Sequence, residues 1–423
     1  MPLRVISRTS VMRYQDTNKP IAQIARELGV EGIIEGSVAR AGKRVTVTVQ
    51  LIDATEDTHL WAHRYDRDAE DLLEIEGEVS QEISNQIGGT LGLRRGTNAA
   101  TAHRIDPEVY DLYLLGRYHR NKRTAADLTK ALDFFQQSID RDPRYAPAYA
   151  GLASVYGILP HYQSVDVQDT QRKAEAAARH ALELDDDLAE AHATLGLLDV
   201  VNGAPEQAPG EFRRALELNP SDATAHQWYA YYFLFSNQPN EALQEMELAR
   251  RLDPLSAIIN ADEGQFLYGA RRYEAAKARL REAIELAPEL AQPHETLGLI
   301  EMAEGRSAEA MSEARVGLRL DPDDPRTMGE AGYVLAKGGQ VHVARTLLAE
   351  LNGKLQRGSG FPTYAAFIYV GLGEREKALQ TLEKMAKERP ASLSGLPQLT
   401  VLDELKDDPR YRKLCTEAQQ MKY

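Results

Sequence analysis

The chain of 423 residues has a single cysteine, Cys415, so it cannot form an internal disulfide. It has no run of about 18 apolar residues, which argues against a transmembrane helix. Its start, MPLRVISRTS, has neither the apolar core nor the cleavage site of a signal peptide. These features predict a cytoplasmic protein. The alternative is a periplasmic or membrane-tethered location, if the chain is a fragment of a longer regulator.

Clusters of basic residues are also missing. There are 50 Lys and Arg against 64 Asp and Glu, and the formal net charge is -14. A protein that wraps phosphates needs clustered cations, so we expect no nucleic acid as a partner of this chain alone. An acidic surface favours solubility and basic partners.

Catalytic motifs are absent as well. The sequence has no H-E-x-x-H, CxxC or G-x-S-x-G, and Gly88–Gly92 lacks the Gly-Lys-Ser/Thr ending of a phosphate loop. His59 and His63 have the i, i+4 spacing, which converges on one metal only in a helix. We place them on a strand. The sequence therefore predicts no catalytic residue, no metal site and no cofactor.

What the sequence does contain is a repeat with a period of about 34 residues. The prolines that follow each helical run recur one or two periods apart: Pro220, Pro254, Pro288, Pro322 and Pro390. One period before Pro220 lies Asp186, and Pro143 precedes Asp186 by somewhat more than one period. The segment Pro160–Asp166 supplies this insertion. A repeat spacing that is kept over so many residues predicts a solenoid.

Small residues keep the same register. Alanine recurs at a fixed distance before each marker, at Ala131, Ala208, Ala242, Ala276, Ala310, Ala344 and Ala378. Alanine or glycine recurs at a fixed distance after it, at Ala153, Gly196, Ala230, Gly264, Gly298, Gly332 and Ala366. Two antiparallel helices approach closely only where neither has a bulky side chain. The register therefore predicts about eight helix-turn-helix pairs over residues 108–390.

This pattern resembles the tetratricopeptide repeat (TPR), which combines Leu-Gly and Tyr on a first helix with Ala-x3-Phe on a second helix and a closing Pro. Ala208, Phe212 and Ala215 match the second helix. Leu152 and Tyr156 match part of the first helix, with Ala in place of Gly. The resemblance implies a mostly α protein with a TPR α-solenoid, in which each repeat buries its face on its neighbours.

Some positions depart from the TPR pattern. Glu263 and Glu301 stand where an apolar residue is usual, and Gln356 replaces the closing Pro, so we expect looser repeats there. Three histidines follow the register instead, at one fixed distance after a marker: His192, His226 and His294. We interpret them as residues that pack one repeat on the next and not as a metal or catalytic site.

The two ends of the array differ from it. Residues 391–423 are predicted to be a polar capping segment, with a helix after Pro409 that carries Cys415 as an ordinary thiol. The first 92 residues form a small α+β domain, and residues 93–107 a linker. In this domain Val45, Val47 and Val49 alternate with polar residues, as in a half-buried strand. The further elements predicted here are strands over 3–8, 31–39 and 59–65 and helices over 20–29 and 70–91.

Residues 26–38, 50–53 and 60–67 resemble a bacterial domain related to the TolB N-terminal domain. In that family the domain precedes TPR arrays in proteins with a winged-helix, Ser/Thr-kinase or adenylate-cyclase module. The resemblance implies that the first strand and helix of the domain are missing before Leu3. Either the chain is a truncation of a longer regulator, or its sheet has an open edge through which it could self-associate.

In TPR proteins the first helices line a concave groove. Residues that face this groove in the repeat register are predicted to bind a peptide: Gln227, Trp228, Tyr231, Asp262, Gln265, Tyr268, Glu295, Thr296, Leu299, Tyr333, Tyr364 and Phe367. The sequence therefore predicts a non-catalytic scaffold that binds a protein or peptide partner. The alternative is the sensor or output half of a bacterial transcriptional regulator or signalling kinase whose effector module is absent from this chain.

Overall fold

The computed structural model describes residues 4–15, 17–41, 44–68, 78, 79, 82, 106–163, 165–202, 206–357, 361–388, 393 and 395–420. The chain divides into two units. Residues 10–111 form one unit, and residues 112–423 form the other together with the N-terminal segment that ends at Thr9.

The smaller unit contains an antiparallel sheet of three strands in the order β1 (Gly32–Ala41), β2 (Arg44–Asp53) and β3 (Thr58–Asp68). Val45 and Val49 of β2 are buried, as the alternation predicts. A register shift between Leu51 and Ile52 leaves Leu60 of β3 without a partner in β2. Ile52, on the opposite face of β2 from Val49, is also buried.

The N-terminal elements agree with the prediction in part. Before the sheet lie α1 (Arg8–Met12) and α2 (Ile21–Leu28), and Gly29 ends α2 with a φ of 65°. The strand predicted over 3–8 is wrong, because residues 4–7 form no strand and α1 begins at Arg8. The helix predicted over 70–91 and the linker over 93–107 lie outside the described residues, apart from 78, 79, 82, 106 and 107.

The described residues from Pro107 to Glu388 form eight antiparallel helix pairs, as the repeat register predicts. The pairs are α3 (Pro107–Lys122) with α4 (Ala125–Arg141), α5 (Ala146–Ile158) with α6 (Val167–Leu184), α7 (Ala189–Asn202) with α8 (Ala208–Leu218), α9 (Ala223–Phe235) with α10 (Pro239–Leu252), α11 (Ala257–Gly269) with α12 (Tyr273–Leu286), α13 (Ala291–Ala303) with α14 (Ser307–Leu320), α15 (Pro325–Lys337) with α16 (Val341–Gln356), and α17 (Pro362–Gly371) with α18 (Arg375–Glu388).

The small residues lie where the two helices of a pair meet. The seven register alanines of the second helices, from Ala131 to Ala378, are fully buried. On the first helix of the fifth repeat, a Cβ added to Gly264 would come within 2.6 Å of the Leu280 side chain. The close approach that the sequence predicts is therefore present, and it leaves no room for a larger side chain.

The turn inside each pair has its own register. Residues with a left-handed backbone recur once in each period of the last five repeats: Asn237, Arg271, Gly305, Gly339 and Gly373. Each follows the C-terminus of a first helix, where a left-handed residue satisfies free carbonyls and reverses the chain. Arg123 has the same conformation in the turn of the first repeat, with a φ of 54°.

Two irregular segments complete the array. The insertion after α5 forms a short 3-10 helix, Leu159–His161. The C-terminal segment contains the 3-10 helices Leu396–Gln398 and Thr400–Leu405 and then α19 (Pro409–Gln420), the helix predicted after Pro409. Leu402 and Leu405 are fully buried in the same core as the last repeats, so this segment is an integral part of the array.

Candidate binding cavity on the concave surface

The first helices of repeats two to eight line one cavity of about 320 Å³, called the inner cavity below. Ten of the twelve residues predicted to bind a peptide line it: Gln227, Trp228, Tyr231, Asp262, Gln265, Tyr268, Thr296, Leu299, Tyr364 and Phe367. The other two, Glu295 and Tyr333, are not among its lining residues. The register therefore brings most of these residues together, and their role in binding stays a prediction.

The sequence reasoning missed three walls of the inner cavity. The insertion contributes His161 and Tyr162, and the ring of His161 stacks on Phe361 with centroids 5.9 Å apart. The C-terminal segment contributes Gly395 and residues 398–401. Arg123 enters from the first turn. None of these residues keeps the register of the first helices, so the repeat pattern carried no signal for them.

Closure by these walls changes the predicted groove. Trp228, predicted to face the groove, is only 4% exposed, and Phe367 is buried as well. Truncation of a buried aromatic to alanine typically costs about 3–5 kcal/mol of stability. The stability of a Trp228→Ala variant would therefore fall, so a loss of peptide binding by this variant would not by itself identify a binding residue.

A buried carboxylate, Asp262, lies at the centre of the polar part of the cavity. Its two oxygens accept hydrogen bonds from the side-chain amides of Gln227 and Gln292, each at 2.6 Å. Burial nevertheless raises the pKa of Asp262 above its usual value, against the opposing effect of these hydrogen bonds. The two glutamines are thus committed to holding this carboxylate.

A second cluster of polar side chains surrounds Arg326, whose Nε lies 3.0 Å from Glu295. Thr327 donates its hydroxyl to Glu295 and to Asp324, and Asp324 also caps the start of α15 by accepting the Thr327 N–H at 2.8 Å. Burial and the nearby carboxylates raise the pKa of Glu330, which favours its neutral form. Arg326 is therefore a paired cation.

A separate cleft of about 450 Å³ lies where the N-terminal segment meets the array. Residues Val5–Thr9 form one side of it. The Ser7 N–H donates to the Leu252 carbonyl at 2.7 Å, and the Val5 N–H donates to the Ser221 hydroxyl at 3.3 Å. Two backbone N–H groups of this segment are thus bonded to the array.

The three register histidines each form a hydrogen bond within their own repeat, and their packing between repeats stays a prediction. Nδ1 of His192 lies 2.7 Å from Glu211, and the corresponding distances to Glu245 and Glu313 are 2.6 Å for His226 and His294. Each pair links the first helix of a repeat to its second helix. Within the described part of the chain, no three His, Cys, Asp or Glu residues are placed to hold a metal ion.

Known proteins resemble the chain in part. No family model matches it. A protein named as an adenylate cyclase in Rhizobium meliloti is 32% identical over 197 residues, 46% of this chain and 33% of that protein. The transcriptional regulator HilA of Salmonella typhimurium is 26% identical over 190 residues, 44% of this chain and 33% of HilA. The chain thus matches about a third of the length of each curated relative.

One solved structure shares the fold over most of the chain. The APC/C hetero-tetramer Cut9–Hcn1 matches with a TM-score of 0.52 at 13% identity, over 73% of this chain and 55% of that chain. Together with the eight helix pairs in one regular register, this likeness shows a TPR-type α-solenoid. Among the described helices, none is both long and apolar enough to cross a membrane.

Proposed function

We propose that this chain is a non-catalytic scaffold that binds an extended segment of a partner protein on its TPR array. TPR-type arrays present a continuous surface built from neighbouring repeats, and such surfaces suit extended or helical peptides. The scaffold would act in bacterial signalling, and its expected cytoplasmic location stays a prediction.

The observation that carries this proposal is the binding mode of residues 5–9. These residues lie against the array with their backbone groups bonded to Ser221 and Leu252. Asn121 also donates its side-chain amide to the Thr9 hydroxyl at 3.1 Å. The bonds to Ser221 and Leu252 use backbone N–H groups, so they depend little on the side chains of the bound segment. The array surface can therefore hold a peptide segment.

Selection from a random peptide library on the full chain tests the proposal. We expect selected peptides to protect the amides of α9 and of residues 253–256 from hydrogen exchange. In Ser7→Pro the N–H that donates to Leu252 is lost. Residues 5–9 then bind the array more weakly and compete less with an added peptide for the same surface. One hydrogen bond is worth about 1 kcal/mol, so peptides should bind this variant roughly fivefold more tightly.

Ile6→Pro is the matched control, because none of the described residues accepts a hydrogen bond from the Ile6 N–H. Its affinity for the selected peptides should stay close to that of the parent chain. The proposal is wrong if no peptide is enriched, or if enriched peptides protect regions remote from α9.

The two curated relatives favour a second candidate. Their names describe a cyclase and a transcriptional regulator, and the chain matches about a third of each. Under this candidate, the array is the sensor or output part of a longer signalling protein, and residues 26–67 belong to a TolB-related domain. An in-frame coding segment for an effector module upstream of Met1 would support it. Self-association through the edge of β1 stays a prediction too, with Val38 exposed there.

A further inference from the structure

Arg123 is a buried cation that lines the inner cavity. It stands in the turn between α3 and α4, and its residue is only 7% exposed. Among the described residues, none forms a hydrogen bond or an ion pair with its guanidinium. Burial lowers the pKa of Arg123, against the opposing effect of Tyr162, Asp262 and Tyr231. A buried charge without a counter-ion is unfavourable, and an anion from outside the chain would relieve it.

The other described charged groups of the inner cavity neither form an ion pair with Arg123 nor provide a second unpaired cation. Asp262 acts on Arg123 only through a longer-range charge interaction, because no ion pair joins the two among the described residues and its oxygens accept hydrogen bonds from glutamine amides. Glu295 pairs with Arg326. Glu330 favours its neutral form because its pKa is raised by burial and nearby carboxylates. Burial and the two arginines lower the pKa of His161 to about 4, so this ring is neutral at pH 7. Arg123 is thus the cation that remains available for a ligand.

The remaining walls of the inner cavity are mostly apolar and aromatic, with some amide and hydroxyl side chains such as Gln265 and Thr400. The apolar and aromatic residues include Trp228, Phe266, Leu299, Phe361 and Phe367. A volume of about 320 Å³ lies at the lower end of the range for small-molecule sites, and such sites combine apolar walls with a few placed polar groups. The cavity therefore fits a compact molecule with an apolar body and one polar end.

We propose that the inner cavity binds a small organic carboxylate, with its carboxylate on Arg123 and its aromatic or aliphatic body against the apolar walls. The planar guanidinium can donate two parallel hydrogen bonds to a carboxylate. A single unpaired cation suits a monoanion, whereas a dianionic phosphate would need a second one. This site takes a different class of ligand from the scaffold surface and does not depend on it.

Tryptophan fluorescence provides a direct test. The chain has two tryptophans, so Trp61→Phe leaves Trp228 as the single fluorophore, in the cavity wall. Phenylacetate and hexanoate are titrated into this full chain beside phenylacetamide, hexanamide and phenethylamine, with calorimetry as a second readout. We expect saturable binding of the carboxylates. The amides should bind at least about tenfold more weakly, since a charge-assisted hydrogen bond is lost.

Substitution of the cation locates the site. Arg123→Gln should weaken carboxylate binding at least about tenfold and leave amide binding unchanged. Arg123→Gly, which tolerates the left-handed backbone, should do the same. Both variants should melt at or above the temperature of the parent, because each removes a buried charge. Arg213→Gln, on the exposed face of α8, is the control and should bind as the parent does.

Three results would overturn the proposal. The first is the absence of saturable carboxylate binding to the parent chain. The second is equal binding of acid and amide, or tighter binding of phenethylamine, which would assign the cavity to neutral or cationic ligands. The third is unchanged carboxylate affinity in both Arg123 variants. Should a variant unfold, the comparison of acid and amide on the parent chain decides the matter alone.

Discussion

At the scale of single residues, a recurring histidine–glutamate pair joins the two helices of a repeat. In the fourth repeat, His226 contacts Glu245 through Nδ1 and the Pro220 carbonyl through Nε2. Asn260 occupies the same register position one repeat later and donates to the Pro254 carbonyl at 3.0 Å. The common function of this position is therefore to hold the first turn of the first helix.

His192 shows what this geometry does to a titrating ring. Its Nδ1 lies 2.7 Å from Glu211 and its Nε2 lies 3.2 Å from the Asp186 carbonyl. Both partners accept hydrogen bonds, so the arrangement favours the doubly protonated ring. The hydrogen bond with Glu211 is the largest cause that raises the pKa of His192 above its usual value.

A raised histidine pKa stabilises the fold below the pKa of the unfolded state, and this stabilisation is lost as the pH rises through the folded pKa. We therefore expect His192→Gln to lower the free energy of unfolding at pH 5.5 by about 1 kcal/mol. At pH 8.5 the loss should be smaller. Urea denaturation at both pH values measures this. His342→Gln, an exposed histidine on α16, is the control. An equal loss for His192→Gln at both pH values would contradict the charge argument.

Other residues show where the repeat pattern fails as a guide. Glu263 departs from the pattern, and we expected it to loosen its repeat. It is instead buried and lies 2.7 Å from Nε of Arg250 in the preceding repeat, while Glu301 pairs with Arg306. The pattern records which positions are usually apolar. It does not record a cation at a neighbouring position that compensates a buried acid.

At the scale of elements, the contact between two helices of a pair depends on one small residue. Gly264 of α11 faces Leu280 of α12, and an added Cβ would come within 2.6 Å of the Leu280 side chain. Backbone conformation is not the reason for this glycine, because it lies in the middle of a helix. Space is the reason, since interiors at native density cannot absorb an extra methyl without displacement.

We therefore expect Gly264→Ala to destabilise the protein by about 1–3 kcal/mol, although alanine favours helices. Gly210→Ala on α8 is the matched control, since its added Cβ would meet no atom within 4 Å. It should gain up to about 1 kcal/mol from helix propensity. Chemical denaturation of both variants measures the difference. A stability gain at both positions would show that α11 and α12 do not meet as closely as the structure indicates.

The elements differ in how far the sequence predicts them. The helix pairs follow from the register, because every repeat solves the same packing problem with residues at the same spacing. Helix α16 runs through Gln356, where other second helices stop before a proline. Residues 4–7 could not be predicted in this way, because their contact with Ser221 and Leu252 joins parts of the chain that are distant in the sequence.

At the scale of the larger unit, the C-terminal segment joins repeats that are distant in sequence. Gln398 donates to Asn237 of the fourth repeat at 3.0 Å, and Asp403 pairs with Arg271 of the fifth. Glu404 pairs with Lys337 of the seventh at 2.7 Å. Repeat arrays are usually coupled only between neighbours. Here a single segment links several repeats and also closes the inner cavity.

This closure explains what the sequence predicts of the candidate site. The register identifies the face of each first helix, and ten of the twelve predicted residues line one cavity for that reason. It contains no information on what covers this face. The covering residues come from the insertion and the C-terminal segment, which do not repeat, so an open peptide groove was expected where the structure has a partly covered cavity.

Gly395 of the C-terminal segment lies close to the ring of Phe235 in the fourth repeat. A Cβ added there would lie 2.8 Å from the ring of Phe235, whereas its φ of -83° suits any residue. Gly395→Val should therefore push the segment away from α9, at a cost of about 1–3 kcal/mol. We expect faster hydrogen exchange in α9 and in residues 395–405, and a denaturation transition of lower slope as coupling between the repeats weakens.

In Gly353→Val the new atoms would meet only the flexible Arg357 side chain, at 3.6 Å from the added Cβ, so both measurements should match the parent. If Gly395→Val keeps the slope and exchange pattern of the parent, the C-terminal segment does not couple the distant repeats.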